Sequence, residues 1–174
     1  GLGDVYKRQD QRKAHMYMRE VADRNGWTKA TCIHTPMLSG LKGQGGGRMD
    51  SFDHKMSKSD PGNAIFVHDT SKQIEKKFRK AFLEVGNPVS PVFEIAQHIV
   101  LPNNGQLLVE PKPEFGKPST WNDLESFVSA VSNGEIHPFD AKMAVARGLT
   151  EVLSPVVEHF DGNSGLLDAV NKTV

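Results

Sequence analysis

The sequence predicts an α/β fold that passes into a mostly helical C-terminal half. The run Ala30–Thr35 is short and rich in residues that favour strands, and it ends at Pro36, which is typical of a short, buried parallel strand. A helical pattern precedes this strand and has Gly26 as its stop signal. Beyond Asn87, most apolar residues recur at helical spacing.

Residues 1–9 show no periodicity, no helix cap and no initiator methionine, so we expect a non-native leader outside the fold. The helix that follows spans Asp10–Arg24. Its predicted apolar stripe consists of Ala14, Met18, Val21 and Ala22.

A second helix is predicted after the short apolar run Ala64–Val67. Thr70 and Gln73 have the spacing of a capping box. The inward residues of this helix are predicted to be Ile74, Phe78, Ala81 and Phe82.

The turn signals Asn87-Pro88 and Ser90-Pro91 mark a predicted domain boundary, with one domain at 10–86 and another at 87–174. In the second domain we expect four elements in order: a helix at Val92–Val100, a short strand or extended segment at Leu107–Val109, a helix at Thr120–Val131 and a long helix at Pro138–Phe160.

Composition excludes several classes of protein. The chain has 21 basic and 21 acidic residues, so it is not a uniformly basic nucleic-acid binder, although Lys72–Lys80 carries five basic residues against Glu75 alone. Cys32 is the only cysteine, which excludes a disulfide framework and favours a reducing, cytoplasmic location. No apolar run has membrane-spanning length, so we expect no membrane association.

The strongest chemical signal is Lys55–Ser59, which follows the glycine-rich run Gly40–Gly47. A loop this rich in glycine is costly to order unless a ligand closes it. Lysine ammoniums are compact charges that suit a polyphosphate whose charge redistributes during reaction. This loop follows the predicted strand at the edge where α/β sheets bind ligands.

Other phosphate and metal motifs are absent from the sequence. The glycine run does not match the phosphate-binding loop G-x-x-x-x-G-K-S/T, and no strand precedes a G-x-G-x-x-G fingerprint. The seven histidines show no H-E-x-x-H or other paired ligand spacing, so we expect no protein-bound metal.

Lys55-Met56-Ser57-Lys58-Ser59 resembles the signature loop of class I aminoacyl-tRNA synthetases. The resemblance implies ATP, with its Mg²⁺, as a substrate. It implies that Lys55, Met56, Ser57, Lys58 and Ser59 bind ATP, and that Lys55 and Lys58 are the catalytic pair.

Asp10–Met16 resembles the Asp-Gln segment of the tyrosyl and tryptophanyl enzymes. The resemblance implies that Asp10 binds the ribose hydroxyls of ATP, that Gln11 faces the amino acid, and that His34 borders the adenosine pocket. Carboxylate and carboxamide groups suit these roles. The alternative is that Asp10 only caps the helix, Gln11 is exposed and His34 is an ordinary satisfied polar group.

Three C-terminal segments resemble the archaeal/eukaryotic-type tyrosyl-tRNA synthetases. They are Asn87–Val89 with Phe93–Ala96, Pro113–Lys117, and Glu135–Lys142. The second lacks one residue before its phenylalanine and has no second glycine. The resemblance implies that Phe115, His137, Pro138 and Asp140 contact anticodon bases, by stacking and base-edge recognition. Alternatively, Pro138 and Asp140 merely begin a helix.

Together the segments imply the end of a Rossmann-like class I catalytic domain followed by a helical anticodon-binding domain. The implied activity is ligation of tyrosine to tRNA(Tyr), with the full-length enzyme a homodimer. Because no His-x-Gly-His segment occurs, we expect the chain to be a C-terminal fragment, inactive in isolation. The alternatives are a tryptophanyl-tRNA synthetase and a non-catalytic tRNA-binding module.

Overall fold

The structure is a computed structural model that describes residues 5–8, 11–43, 56, 59–163 and 165. Near the N-terminus, strand β1 (Val5–Arg8) pairs in parallel with strand β2 (Cys32–Thr35), with Val5 opposite Cys32. Helix α1 (Arg12–Arg24) connects the two strands. The expectation that residues 1–9 lie outside the fold is therefore wrong for Val5–Arg8, where Val5 and Tyr6 favour a strand once β2 supplies a partner.

The prediction that β2 is buried is also wrong. Its residues alternate between half-buried and exposed, and Ile33 is 46 % exposed. Alternation is typical of a strand covered on one face only. Helix α1 contacts this strand through His15, whose ring lies against His34. The buried residues of α1 are His15 and Ala22, whereas Ala14 of the predicted stripe is exposed.

The remaining elements lie between residues 71 and 161. They are α2 (Ser71–Lys80), α3 (Pro91–Ile95), a π-helical turn (Ala96–Val100), α4 (Leu101–Asn104), β3 (Leu107–Val109), β4 (Ser119–Trp121), α5 (Leu124–Ser132) and α6 (Pro138–Asp161). Strands β3 and β4 pair antiparallel, with Leu107 opposite Trp121.

Helix α2 begins as predicted. The Thr70 side chain accepts from the backbone N–H of Gln73, and the Gln73 side chain accepts from the N–H of Thr70. Ile74 and Phe78 are buried, as expected. Phe82 is 40 % exposed instead, because α2 ends at Lys80 and helical spacing no longer sets the direction of the side chain.

Helix α5 begins later than predicted. Thr120 and Trp121 belong to β4, and α5 starts after Asp123, whose carboxylate accepts from the backbone N–H of Ser126. The hydroxyl and the backbone N–H of Ser126 hold the pKa of the Asp123 carboxyl below its ordinary value. Helix α6 begins at Pro138 as predicted and continues to Asp161 through Pro155.

One cluster of buried side chains forms the core and crosses the predicted domain boundary. From before residue 87 it includes Leu41, Ile74 and Phe78, and from after it the rings of Phe93 and Phe127, which meet edge to face with centroids 5.9 Å apart. Helices α2 and α6 pack against each other. The domain boundary after residue 86 stays a prediction, and the apolar core is continuous across it.

Candidate functional site

Three regions of the structure bear on the site residues predicted from sequence: the stem (Ser39–Lys42 with Asn63), which flanks the lysine-rich segment in the chain; β2 with the residue before α1; and a cavity in the helical half. Of the predicted ATP-binding residues, Asp10, Lys55, Ser57 and Lys58 lie outside the described residues. Met56 is half-buried against the core, and its backbone N–H donates to the carbonyl of Leu38 at 3.4 Å. Ser59 is exposed.

Asn63 joins the two sides of this stem. Its backbone carbonyl accepts from Leu41 N–H at 3.0 Å, and its side-chain oxygen accepts from Lys42 N–H at 2.8 Å. A Cβ at Gly40 would collide with the Asn63 carboxamide, so glycine permits the close approach. The Lys42 ammonium also binds the Asp60 carboxylate at 2.6 Å.

The stem is attached to the helical half through Glu94 of α3. The Glu94 carboxylate accepts from the backbone N–H of Ser39 at 2.8 Å, although 55 residues separate the two. Two residues further on, Leu41 is fully buried and its carbonyl accepts from Phe82 N–H at 2.7 Å. The segment that leads into the lysine-rich loop is thus held by a rigid core.

The other predicted adenylate residues lie just before α1 and on β2. Gln11 precedes α1, is exposed and makes no capping hydrogen bond with its side chain. His34 is half-buried, and its Nε2 lies 3.0 Å from Nδ1 of the buried His15, so one ring donates a hydrogen bond to the other. His34 thus has a structural partner that the sequence did not indicate.

A cavity of about 540 Å³ lies between the β3–β4 connection and the start of α6, and it brings together Phe115, His137 and Asp140. Their convergence was expected if they read one RNA segment. Phe115 is 73 % exposed. The residues lining the cavity are Val109, Pro111, Lys112, Phe115, Gly116, Lys117, Ser119, Gly134, Glu135, Ile136, His137, Phe139 and Asp140.

Local geometry explains the exposed Phe115 ring. The chain turns at residues 113–115, where Phe115 N–H donates to the Lys112 carbonyl at 2.8 Å. Gly116 follows with φ +157°, and a Cβ there would lie 3.2 Å from Pro111 Cγ. Glycine therefore lets the chain leave the turn close to Pro111.

The start of α6 forms the opposite wall. His137 is the N-cap, and its Nδ1 accepts from Phe139 N–H at 3.1 Å, so in the neutral ring Nε2 carries the proton and can donate. Asp140 lies in the first turn, where the helix dipole favours a carboxylate. Pro138 is not among the lining residues and serves as the first residue of the helix.

Sequence reasoning missed several lining residues, above all Lys112, Lys117 and Glu135. The sequence feature that could have identified the two lysines is that they flank Phe115. Glu135 directly precedes the Ile136-His137 pair and was visible only as part of the resembling segment.

The basic face predicted on α2 is smaller than its sequence indicates. Lys77 is largely buried, and its ammonium lies 2.5 Å from the buried Asp69 carboxylate, so it is not available to a phosphate. Arg79 faces Glu75 at 3.8 Å. The exposed lysines of this face are Lys72, Lys76 and Lys80.

Within the part of the chain that the structure describes, no group of three or more histidine, cysteine, aspartate or glutamate residues is arranged to hold a metal ion. In that same part, no helix is long and apolar enough to cross a membrane.

The family model for class I tRNA synthetases of the tryptophanyl and tyrosyl type matches residues 9–154. The chain belongs to this family. Among curated class I synthetases, a tyrosine–tRNA ligase of Sulfurisphaera tokodaii is 41 % identical over 89 % of the chain and 44 % of the relative. One from Picrophilus torridus is 39 % identical over 88 % of the chain and 46 % of the relative. The chain thus spans less than half the length of these synthetases.

Solved class I synthetase structures agree. A tyrosyl-tRNA synthetase of Archaeoglobus fulgidus in complex with L-tyrosine has 37 % identity and a TM-score of 0.71, over 86 % of the chain and 44 % of its own. The tyrosyl-tRNA synthetase from Pyrococcus horikoshii has a TM-score of 0.82 at 28 % identity, and the match covers 96 % of this chain and 50 % of that enzyme. A tryptophanyl-tRNA synthetase from Giardia lamblia, at 20 % identity and a TM-score of 0.60, shares the fold.

Proposed function

We propose that this chain is part of a tyrosine–tRNA ligase. In the proposed reaction, the tyrosine carboxylate attacks the α-phosphorus of ATP, pyrophosphate leaves, and tyrosyl adenylate remains. A ribose hydroxyl at the 3′ end of tRNA(Tyr) then attacks the acyl carbon, and AMP leaves. The observation that carries the proposal is the cavity that unites Phe115, His137 and Asp140, in a chain about 40 % identical to curated tyrosine–tRNA ligases.

Lys55 and Lys58 are proposed to stabilise negative charge on the β- and γ-phosphates during the first step. ATP is expected to enter with Mg²⁺, since Mg²⁺ binds mainly through substrate phosphates and water. The stem built by Ser39–Lys42 and Asn63 supports this role, because these residues precede and follow the lysine-rich segment in the chain and are bonded to each other and to Glu94 of α3. Asp10, Gln11 and His34 keep their proposed roles toward ribose, tyrosine and adenine.

In the helical half, Phe115 is proposed to stack on an anticodon base. The Asp140 carboxylate accepts hydrogen bonds from N–H groups of that base, and His137 Nε2 donates one to it. Stacking on an exposed aromatic ring is a general means of binding an unpaired base. Pro138 is proposed to act indirectly, since it begins the helix that presents its two neighbours. The proposal also includes a cytoplasmic location and a homodimeric full-length enzyme, both carried over from the family resemblance.

The experiment uses a full-length protein that contains this chain and measures two steps separately. ATP–pyrophosphate exchange with tyrosine and with tryptophan identifies the amino acid. We expect Lys58→Ala to lower exchange on the order of a hundredfold. Lys29→Ala serves as the control and should leave exchange unchanged. Lys29 is exposed, and its ammonium lies 2.7 Å from the Asp23 carboxylate.

Asp140→Ala tests the second site in the same protein. Aminoacylation of tRNA(Tyr) should weaken by about 1–3 kcal/mol, by analogy with base-edge recognition in duplexes, while exchange stays intact. Exchange with tryptophan instead of tyrosine would replace the substrate assignment. Intact exchange in Lys58→Ala would refute the role of that lysine.

A further inference from the structure

The cavity contains two cations that base recognition does not require. Lys112 and Lys117 line it together with Phe115, and both lie on the connection that carries the exposed ring. The hydrogen bond from Phe115 N–H to the Lys112 carbonyl fixes the spacing between the first lysine and the ring. Gly116 separates the ring from the second lysine. The two lysines thus flank a single aromatic side chain on one short backbone segment, and all three line the same cavity.

These lysines have no carboxylate partner among the residues that the structure describes. Elsewhere in the same region, the Arg147 guanidinium lies 3.7 Å from the Glu110 carboxylate, and Glu135 and Asp140 line the cavity itself. Neither carboxylate in the cavity forms an ion pair with Lys112 or Lys117. Two exposed ammoniums beside an exposed ring remain available for an anionic ligand.

The shape and chemistry fit one nucleotide with the phosphates on both sides of it. The cavity volume of about 540 Å³ is within the ordinary range of ligand sites. Proteins that bind unpaired nucleic acid combine an aromatic platform for the base with positive charges along the backbone. Lysine suits the phosphates as a compact charge on a flexible stem.

We propose that Lys112 and Lys117 bind the two phosphates that flank the base stacked on Phe115. This inference rests on the proposed function, because the ligand is an anticodon loop, and it deepens that function by assigning backbone contacts to the same cavity. The lysines contribute affinity without reading the base, whereas Asp140 reads the base.

The test measures binding of the 174-residue chain to two RNA hairpins. One carries the tyrosine anticodon loop, and the other has the first anticodon base replaced. Affinity is measured over a series of salt concentrations for the wild type, Lys112→Ala, Lys117→Ala, Lys117→Arg, Asp140→Asn and the control Lys29→Ala. Circular dichroism confirms that each variant folds.

Each lysine-to-alanine variant should lose affinity for both hairpins by the same factor and reduce the slope of log affinity against log salt by about 1. Lys117→Arg should keep the wild-type slope, and Lys29→Ala should match the wild type. Asp140→Asn should weaken only the cognate hairpin and leave the slope unchanged.

The outcomes separate this inference from the proposed function. If the wild type prefers the cognate hairpin while both lysine variants keep its slope and affinity, the phosphate assignment is overturned and the function stands. If a lysine variant loses affinity for one hairpin only, that lysine reads the base and the assignment is again wrong. If the wild type binds neither hairpin, the phosphate assignment is overturned, while exchange with tyrosine in the full-length protein still decides the proposed function.

Discussion

Lys77 of α2 reaches back eight residues to Asp69, and the two charged groups meet at 2.5 Å with side chains only 15 % and 5 % exposed. Asp69 also accepts from Phe66 N–H at 2.8 Å, and the Lys77 ammonium lies 4.8 Å from the centre of the Phe66 ring. The pair therefore fixes the segment before α2 against the helix. Lys77 therefore has a structural role, whereas its neighbour Lys76 is exposed to solvent.

We expect Lys77→Met to lower the free energy of unfolding by about 3–5 kcal/mol, because Asp69 would remain as a buried charge without its cation. Urea denaturation measures the loss. Asp69→Asn combined with Lys77→Met should be less destabilised than Lys77→Met alone, since the carboxamide would keep an acceptor for Phe66 without the charge. A Lys77→Met variant as stable as the wild type would contradict the assignment.

Lys76→Ala is the matched change on the exposed side of the same helix. It should alter the unfolding free energy by less than about 0.5 kcal/mol. Its tRNA affinity should fall to the same extent for any anticodon, with the salt slope reduced by about 1. Filter binding at several salt concentrations measures both the affinity and the slope. An unchanged slope would remove α2 from the RNA-binding surface.

Gly148→Ala should destabilise the protein although alanine is the better helix former. A Cβ at Gly148 would collide with Cγ1 of Val100, which is fully buried in the π-helical turn. Overpacking of this kind costs about 1–3 kcal/mol, more than the gain in helix propensity of about 1 kcal/mol. Thermal and urea denaturation measure the net change.

Two variants check the cause of that loss. In a Val100→Ala background, Gly148→Ala should lower the free energy of unfolding by a smaller amount, because the colliding methyl group is absent. Gly162→Ala serves as the matched glycine control, since its φ is −71° and its Cβ would have only ordinary contacts, 3.6 Å or longer. Equal costs for Gly148→Ala in both backgrounds would exclude the steric explanation.

Glu94→Ala should release the backbone of Ser39. A hydrogen bond to a charged acceptor contributes about 1.5–3 kcal/mol, so the Ser39 amide should exchange with solvent at least about tenfold faster. Amide exchange by NMR on the 174-residue chain measures this directly. Glu94→Gln keeps a carbonyl oxygen and should restore much of the protection, whereas the surface change Glu75→Ala should have no effect at Ser39.

The Asp123 carboxyl predicts a pH dependence. Its pKa in the folded state is held below the ordinary value of 3.8 by the Ser126 hydroxyl and backbone N–H. A group with a lowered folded pKa stabilises the fold at pH values above its unfolded pKa, and this contribution is lost as the pH falls through the folded pKa.

The stability advantage of the wild type over Asp123→Asn should therefore be constant near neutral pH and shrink below about pH 4. Asparagine is also a good N-cap, so the comparison isolates the charge. Urea denaturation at several pH values measures it. An NMR titration of Ser126→Ala should show the Asp123 pKa rising toward its ordinary value; an unchanged titration would assign the shift to another donor.

The sequence predicted those features that short-range chemistry determines. The capping box of Thr70 and Gln73, the strand at Leu107–Val109 and the helix start at Pro138 all appear where their local signals lie. Thr120 was assigned to a helix because its pairing with Leu108 joins residues a dozen positions apart and leaves no local trace. Phe82 was placed inward because spacing alone does not reveal the end of α2.

The candidate site divides in the same way. Phe115, His137 and Asp140 were found through resemblance, and their meeting in one cavity depends on β3, β4 and α6 together. The partner of His34, buried on α1, and the partner of Lys77, outside its helix, were not predictable from spacing. A run of basic residues in the sequence overestimates the size of a binding surface when one of these residues forms a buried ion pair, as Lys77 does.

The π-helical turn at Ala96–Val100 has a consequence for how this region tolerates change in length. Leu101 N–H donates to the Ala96 carbonyl, five residues back, so the stretch from Pro91 to Asn104 holds one residue more than an α-helix would need. Each helical residue turns the chain by about 100°. Deleting a single residue within the turn would let it close as an α-helix, whereas the same deletion in the α-helical part of the stretch would rotate everything after it by about 100° around the helix axis. The turn can thus absorb the loss of one residue, and the cavity walls at Phe115 and Asp140, which both follow it, would keep their relation to each other.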